Sequence, residues 1–119
     1  MSHLCHAHGC QKPVPPSMLF CRPHWFKLRA ITRNAIWREY RPGQEVDKNP
    51  SRRYMAVQRL AVAESAFRPH DEEAARICAI YLVEAERWAQ RAIAAGEGDP
   101  LSDLMNKEKR PSAETLGPG

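Results

Sequence analysis

The chain has 119 residues, of which 18 are Lys or Arg and 14 are Asp or Glu, giving a net charge of +4. That length supports one domain with a modest core, in the size range where a metal, a disulfide or a partner often supplements packing. No apolar run approaches the roughly 18 residues of a membrane span, and the opening MSHLCHAHGCQK lacks the apolar stretch of a secretory signal.

A cytoplasmic location is therefore expected. Reducing conditions there disfavour disulfides, so the four cysteines read first as metal ligands or buried thiols. The charge is uneven. Residues 1–69 hold 12 basic and 4 acidic residues, a balance of +8, whereas residues 70–119 hold 6 and 10, a balance of −4. A basic front half points either to an anionic partner or to attraction between the two halves within the fold.

Residues 1–22 show no helical period. PVPPSMLF (13–20) carries three prolines and then a short apolar run that can pair as a strand. A first helix is expected from Pro23, a residue tolerated in a first turn, to about Tyr40, ahead of the Pro42-Gly43 turn. A loop follows, and Asn49-Pro50 reads as a cap opening a second helix over about 50–67. Asp71 caps a third helix, whose first turn carries Glu72 and Glu73 against the helix dipole. It runs to about Ala95, with Gly96 as its stop. Residues 96–119 hold four Gly and three Pro. They read as a mostly disordered tail, in which PLSDLMNKEKR can form one helical turn, docked or awaiting a partner.

Cys5, Cys10, Cys21 and His24 follow the spacing C-x4-C-x10-C-x2-H. Zinc takes a tetrahedron of thiolate and imidazole ligands, with sulfurs only about 3.8 Å apart. A short loop around Gly9 can bring Cys5 and Cys10 that close. Cys21 and His24, three residues apart at a helix start, share one side of the first turn. A site closed by four protein ligands points to a structural Zn2+ rather than a catalytic one. The resulting knuckle, short β arm and helix resemble a treble-clef zinc finger. His6 or His8 can replace a cysteine; otherwise they are exposed or support the ligands from outside. His3 and His70 read as surface residues, and Cys78 as a buried core thiol.

The expected first helix shows two apolar stripes. Trp25, Leu28, Ile31, Ala35 and Ile36 are assigned to the core. A second stripe of Phe26, Ala30, Trp37 and Tyr40 is interleaved with Arg29 and Arg33, while Lys27, Arg38 and Arg41 lie on a third side. Together with Arg52 and Arg53 these form a candidate binding surface, since aromatic rings stack on unpaired bases and arginines meet phosphates. The competing reading buries the aromatics against the other helices and leaves the arginines snorkelling. In the third helix Ile77, Tyr81, Leu82, Trp88 and Ile93 join many alanines on one side, which either completes the core or forms a homodimer.

Phosphate-loop, dinucleotide-binding, H-E-x-x-H, G-x-S-x-G and zinc-deaminase signatures are all absent, and no HNH-type pairing of His and Asn follows the knuckle. An enzyme is not expected.

The segments CHAHGC, MLFCRPHW, AIWREYRPGQE and NPSRRYMAV resemble a group of small, functionally uncharacterised phage and prophage proteins. In these a C-x4-C pair precedes C-x2-H-W and a helix ending near a Gly-Gln turn. The resemblance spans roughly residues 5–57 and implies zinc ligands at Cys5, Cys10, Cys21 and His24, with no activity attached. The sequence thus predicts a mainly α fold. Residues 1–95 form one domain, with a zinc knuckle over 1–24 and a three-helix core over 24–95, before a disordered tail over 96–119. Its expected role is that of a non-enzymatic module contacting nucleic acid through its basic half. The alternative is a protein-binding adaptor or inhibitor of a host system such as a CRISPR-type defence complex. Neither a membrane nor a small-molecule substrate is expected, and the chain is a monomer or homodimer.

Overall fold

A computed structural model of the chain describes residues 3–14, 19–40 and 50–105. Strand β1 (His3–Leu4) pairs antiparallel with β2 (Pro13–Val14), with His3 opposite Val14 and Leu4 opposite Pro13. Between them the chain folds into a knuckle. Cys5 N–H donates to the Lys12 carbonyl at 2.9 Å and Cys10 N–H to the Ala7 carbonyl at 3.0 Å. Gly9 sits in that turn at φ +80, a conformation that strains any residue with a Cβ. The expected strand in the apolar run after the prolines is displaced to Pro13–Val14. Leu19 and Phe20 are core residues instead, buried to 6% and 1% exposure, and the Leu19 carbonyl accepts from His6 N–H.

The helix expected over 23–40 is broken in two. Helix α1 spans Arg22–Lys27 and α2 spans Ala30–Glu39, with Leu28 and Arg29 extended between them at ψ 149 and 150. The break has a tertiary cause. Glu64, from the following helix, accepts from the Arg29 backbone N–H at 3.1 Å, the Arg29 guanidinium at 2.7 and 2.9 Å, and the Thr32 hydroxyl at 2.6 Å. A carboxylate at the N-terminus of α2 satisfies a donor that a continuous helix would have used and suits the dipole there. On the other side of the break, Arg33 donates to the freed Leu28 carbonyl at 2.7 Å.

Helix α3 spans Arg52–Ala66, and its N-cap is Ser51, whose hydroxyl accepts from Tyr54 N–H at 3.0 Å. The expected cap, Asn49, lies outside the described residues. Helix α4 spans Glu72–Ala94 and begins as expected, with Asp71 accepting from Ala74 N–H at 3.0 Å. It ends in a Schellman pattern, with Gly96 at φ +78 and hydrogen bonds from Gly96 N–H to Ile93 and Glu97 N–H to Ala92. Helices α3 and α4 form a hairpin that supplies the largest helix contact, and α2 and α1 pack on α3.

The packed chain runs past the expected boundary at residue 95. Pro100 is fully buried, Leu104 packs on the core, and a 3-10 turn over Ser102–Met105 lies against α2. Arg53 holds this segment. Its guanidinium donates to Glu39 at 2.8 and 2.9 Å, to Asp103 at 2.7 Å and to the Glu97 carbonyl at 2.7 Å. One side chain thereby ties the end of α2, the start of α3 and the chain beyond α4. Residues 106–119 lie outside the described residues.

The core joins Phe20, Trp25, Leu28, Ala35 and Ile36 to Tyr54, Val57, Ala61 and Val62, while Ile31 is half-buried. Helix α4 turns its expected alanine-bearing side inward, with Ile77, Tyr81 and Trp88 half-buried, but not all of that side is covered. Its buried residues are the small ones, Ala74, Ala85, Ala89 and Ala92, whereas Leu82 and Ile93, expected inside, are 44% and 41% exposed. Alanine lets α3 and α4 approach closely, and larger residues are then displaced to the flanks.

Removing the Glu64 carboxylate orphans the buried Thr32 hydroxyl and the α2 N-terminus together. Glu64→Ala should lower unfolding free energy by about 2 kcal/mol, read from chemical denaturation. A loss below about 0.5 kcal/mol, the range of an ordinary surface substitution, would show that Glu64 does not set the break.

Candidate metal centre

The knuckle and the start of α1 converge on one point. Donor atoms of Cys5, Cys10, Cys21 and His24 all lie within 4.8 Å of one another. Cys5 and Cys10 bracket the Gly9 turn. Cys21 is the N-cap residue of α1, and Pro23 in the first turn helps start the helix that carries His24. Cys5 Sγ stands 3.6 Å from His24 Nδ1, Cys21 Sγ 3.1 Å from the same nitrogen, and Cys10 Sγ 4.0 Å from Cys21 Sγ. A tetrahedral ion of the zinc type sets sulfurs about 3.8 Å apart and a sulfur and a nitrogen about 3.6 Å apart. The spacing therefore matches a single ion at the centre of the four, and all the cysteines are unpaired thiols. The cluster can hold a metal ion.

The surroundings differ among the ligands. Burial pushes the Cys5 thiol up to about 11, so an incoming cation must displace its proton. Cys10 is lowered, first by the Lys12 backbone N–H that donates to its sulfur. His24 is lowered by its own burial and then by the positive charges of Lys27, Lys12 and Arg68. A neutral ring with a free Nδ1 lone pair is the form a metal needs.

His6 and His8 stay outside the cluster. His6 lies 3.4 Å from the Gln58 side chain, with its ring edge-on to Phe20, and His8 stacks edge-on with Tyr81. His70 is exposed, as expected; His3 lies in β1, and its side chain is outside the described residues. Cys78, expected in the core, is only half-buried, and its thiol donates to the Ala63 carbonyl at 3.1 Å.

The candidate binding surface is largely consumed within the fold. Arg29 pairs with Glu64 at 2.7 Å, Arg38 with Glu39 at 3.4 Å, Arg52 with Glu97 at 2.8 Å and Arg53 with Glu39 and Asp103. Trp37 and Tyr40 pack against the core, Tyr40 beside Tyr54. Phe26 remains 50% exposed, with the Arg33 guanidinium 5.5 Å from its ring centre. Lys27 donates to the Ser65 carbonyl at 2.9 Å, and Arg41 lies outside the described residues.

What the sequence reading missed is a set of cations around the knuckle. Lys12, Arg22 and Arg68 are exposed, and among the described residues none of them has an ion-pair partner. Lys12 and Arg22 could have been found from their position beside the cysteines. Arg68 gives no such signal, because only the α3–α4 hairpin brings it near.

Each of Cys5→Ser, Cys10→Ser, Cys21→Ser and His24→Ala should abolish retention of one tightly bound ion per chain, measured by elemental analysis. His6→Ala, His8→Ala and Cys78→Ser should retain it. Loss in the His6 or His8 variants would reassign the ligand set. No protein-family model matches this sequence, and no curated protein or solved structure is significantly similar to it.

Proposed function

We propose that the protein is a small, non-enzymatic binding module. In it a structural zinc ion fixes the knuckle to α1, and the cations around the knuckle hold a nucleic-acid backbone. Three thiolates and one imidazole form a donor set that suits zinc and leaves no open coordination position for chemistry. With a neutral His24, the loaded site carries about −1, less than the positive charge of Lys12, Arg22, Lys27 and Arg68 around it. The observation that carries the reading is the contrast between two groups of cations. Arg29, Arg38, Arg52, Arg53 and Arg59 face carboxylates, whereas Lys12, Arg22 and Arg68 beside the knuckle face solvent with none among the described residues. Phosphate oxygens are the natural complement of such a rim, and exposed Phe26 supplies a ring on which an unpaired base can stack.

A second reading, a protein-binding adaptor, draws on a groove of about 350 Å³ lined by Lys27, Arg29, Ala63, Glu64, Phe67, Cys78 and Leu82. Phe67 is 57% exposed at its edge, the form of a pocket that takes an anchoring side chain. Inhibition of a host defence complex would be one form of this role, and it rests on the phage-protein resemblance alone.

Fluorescence anisotropy with single- and double-stranded oligonucleotides tests the first reading. Affinity should fall steeply with salt, and Lys12→Glu/Arg22→Glu/Arg68→Glu should weaken binding by at least about tenfold at low salt while keeping its metal. Absence of salt-dependent binding in the parent, or an unchanged triple variant, rejects this surface. Chelation should unfold the knuckle and abolish binding together; a chelated chain with unchanged circular dichroism would remove the structural role of the ion.

A further inference from the structure

The outward face of α4 carries a pattern that the monomer does not use. Ile80 is 57% exposed and Val83 49% exposed, on the side away from the buried alanines. Residues 73, 76, 80, 83 and 87 recur at alternating spacings of three and four, so they line one stripe along the helix, the spacing of a helix-pairing seam. Apolar residues occupy its middle, and Glu73, Arg76 and Arg87 occupy its ends. Among the described residues, these three have no ion-pair partner within the chain.

We propose that this stripe binds a second copy of the same chain, with the two α4 helices antiparallel about a two-fold axis at Ile80. The charge order selects that arrangement. In a parallel pair, Glu73 would meet Glu73 of the partner subunit, and Arg87 would meet Arg87 of the partner subunit. In the antiparallel pair centred on Ile80, Glu73 lies opposite Arg87 of the partner subunit, and symmetry supplies the pair twice. Arg76 lies opposite Glu84 of the partner subunit. Within its own chain Glu84 Oε1 stands 3.0 Å from Arg59 Nε, and the Glu84 side chain is 40% exposed. Ile80 then packs on its own symmetry mate, and Val83 on Ile77 of the partner subunit. From Glu73 to Arg87 the seam is about 21 Å long. An isologous contact of this kind closes on itself as a dimer. It also leaves the knuckle cations free, so the proposal is independent of nucleic-acid binding.

Sedimentation equilibrium on the metal-loaded full chain, free of nucleic acid, tests it. A contact this small should give a monomer–dimer equilibrium with a dissociation constant on the order of micromolar. Ile80→Asp should shift the chain to monomer while circular dichroism and metal content stay unchanged, since the side chain is exposed. Glu73→Arg and Arg87→Glu should each weaken the dimer by about tenfold, by placing like charges opposite one another twice. The double variant Glu73→Arg/Arg87→Glu should recover the parent constant. A parent chain that is monomeric at about 100 μM, far above the expected constant, overturns the proposal. So does a dimer indifferent to Ile80→Asp, or a double variant that does not recover.

Discussion

Four donor atoms within 4.8 Å of one another set the terms for the N-terminal part of the molecule. Before α1 the described chain has four strand residues and a turn, too little hydrogen bonding to order itself. Three thiols crowded at this distance repel one another once they ionise, and burial already pushes the Cys5 thiol up to about 11. A divalent cation reverses that balance, because it pairs with the ionised sulfurs and makes their proximity favourable. An ion bound there would make the knuckle a rigid platform beside α1. Phe20 and Trp25, the buried chain neighbours of Cys21 and His24, belong to the same core as Cys5 and Cys21.

A second constraint organises the helices. Glu64 caps α2 from another helix, and Arg53 joins three segments through Glu39, Asp103 and the Glu97 carbonyl. Exposed ion pairs contribute little to stability, but Arg53 and Glu39 are only 16% and 10% exposed, and they form a two-point contact of matched geometry. The consequence for function is subtraction. A basic front half looked like a broad anionic-ligand surface, yet most of its helical arginines already have carboxylates. Among the described residues of that half, Lys12, Arg22 and Arg68 beside the knuckle keep no such partner.

Helix α4 adds a different economy. It turns alanines inward and leaves branched residues outward, so close packing with α3 and an apolar outer stripe are two results of one distribution of side-chain size. Ile80 and Val83 lie exposed on this 23-residue helix, on the face opposite the buried alanines. The charges at its ends are ordered so that a reversed copy complements them and a parallel copy does not.

The sequence by itself determined the cluster of Cys5, Cys10, Cys21 and His24, because Cys and His at short spacings on a turn and a helix start can reach a common point with little help from the rest of the chain. It also determined Asp71 as a cap, Gly96 as a stop and the mainly helical class, all of which depend on neighbours within a few residues. Tertiary structure decided the rest. The break at Leu28–Arg29 depends on Glu64, 35 residues further along. The docking of residues 99–105 depends on Arg53, and the exposure of Leu82 and Ile93 depends on how closely α3 approaches the alanines of α4. Each of these turns on a contact between residues far apart in the chain, where local propensity and periodicity carry no information and only the shape of the partner surface selects the outcome.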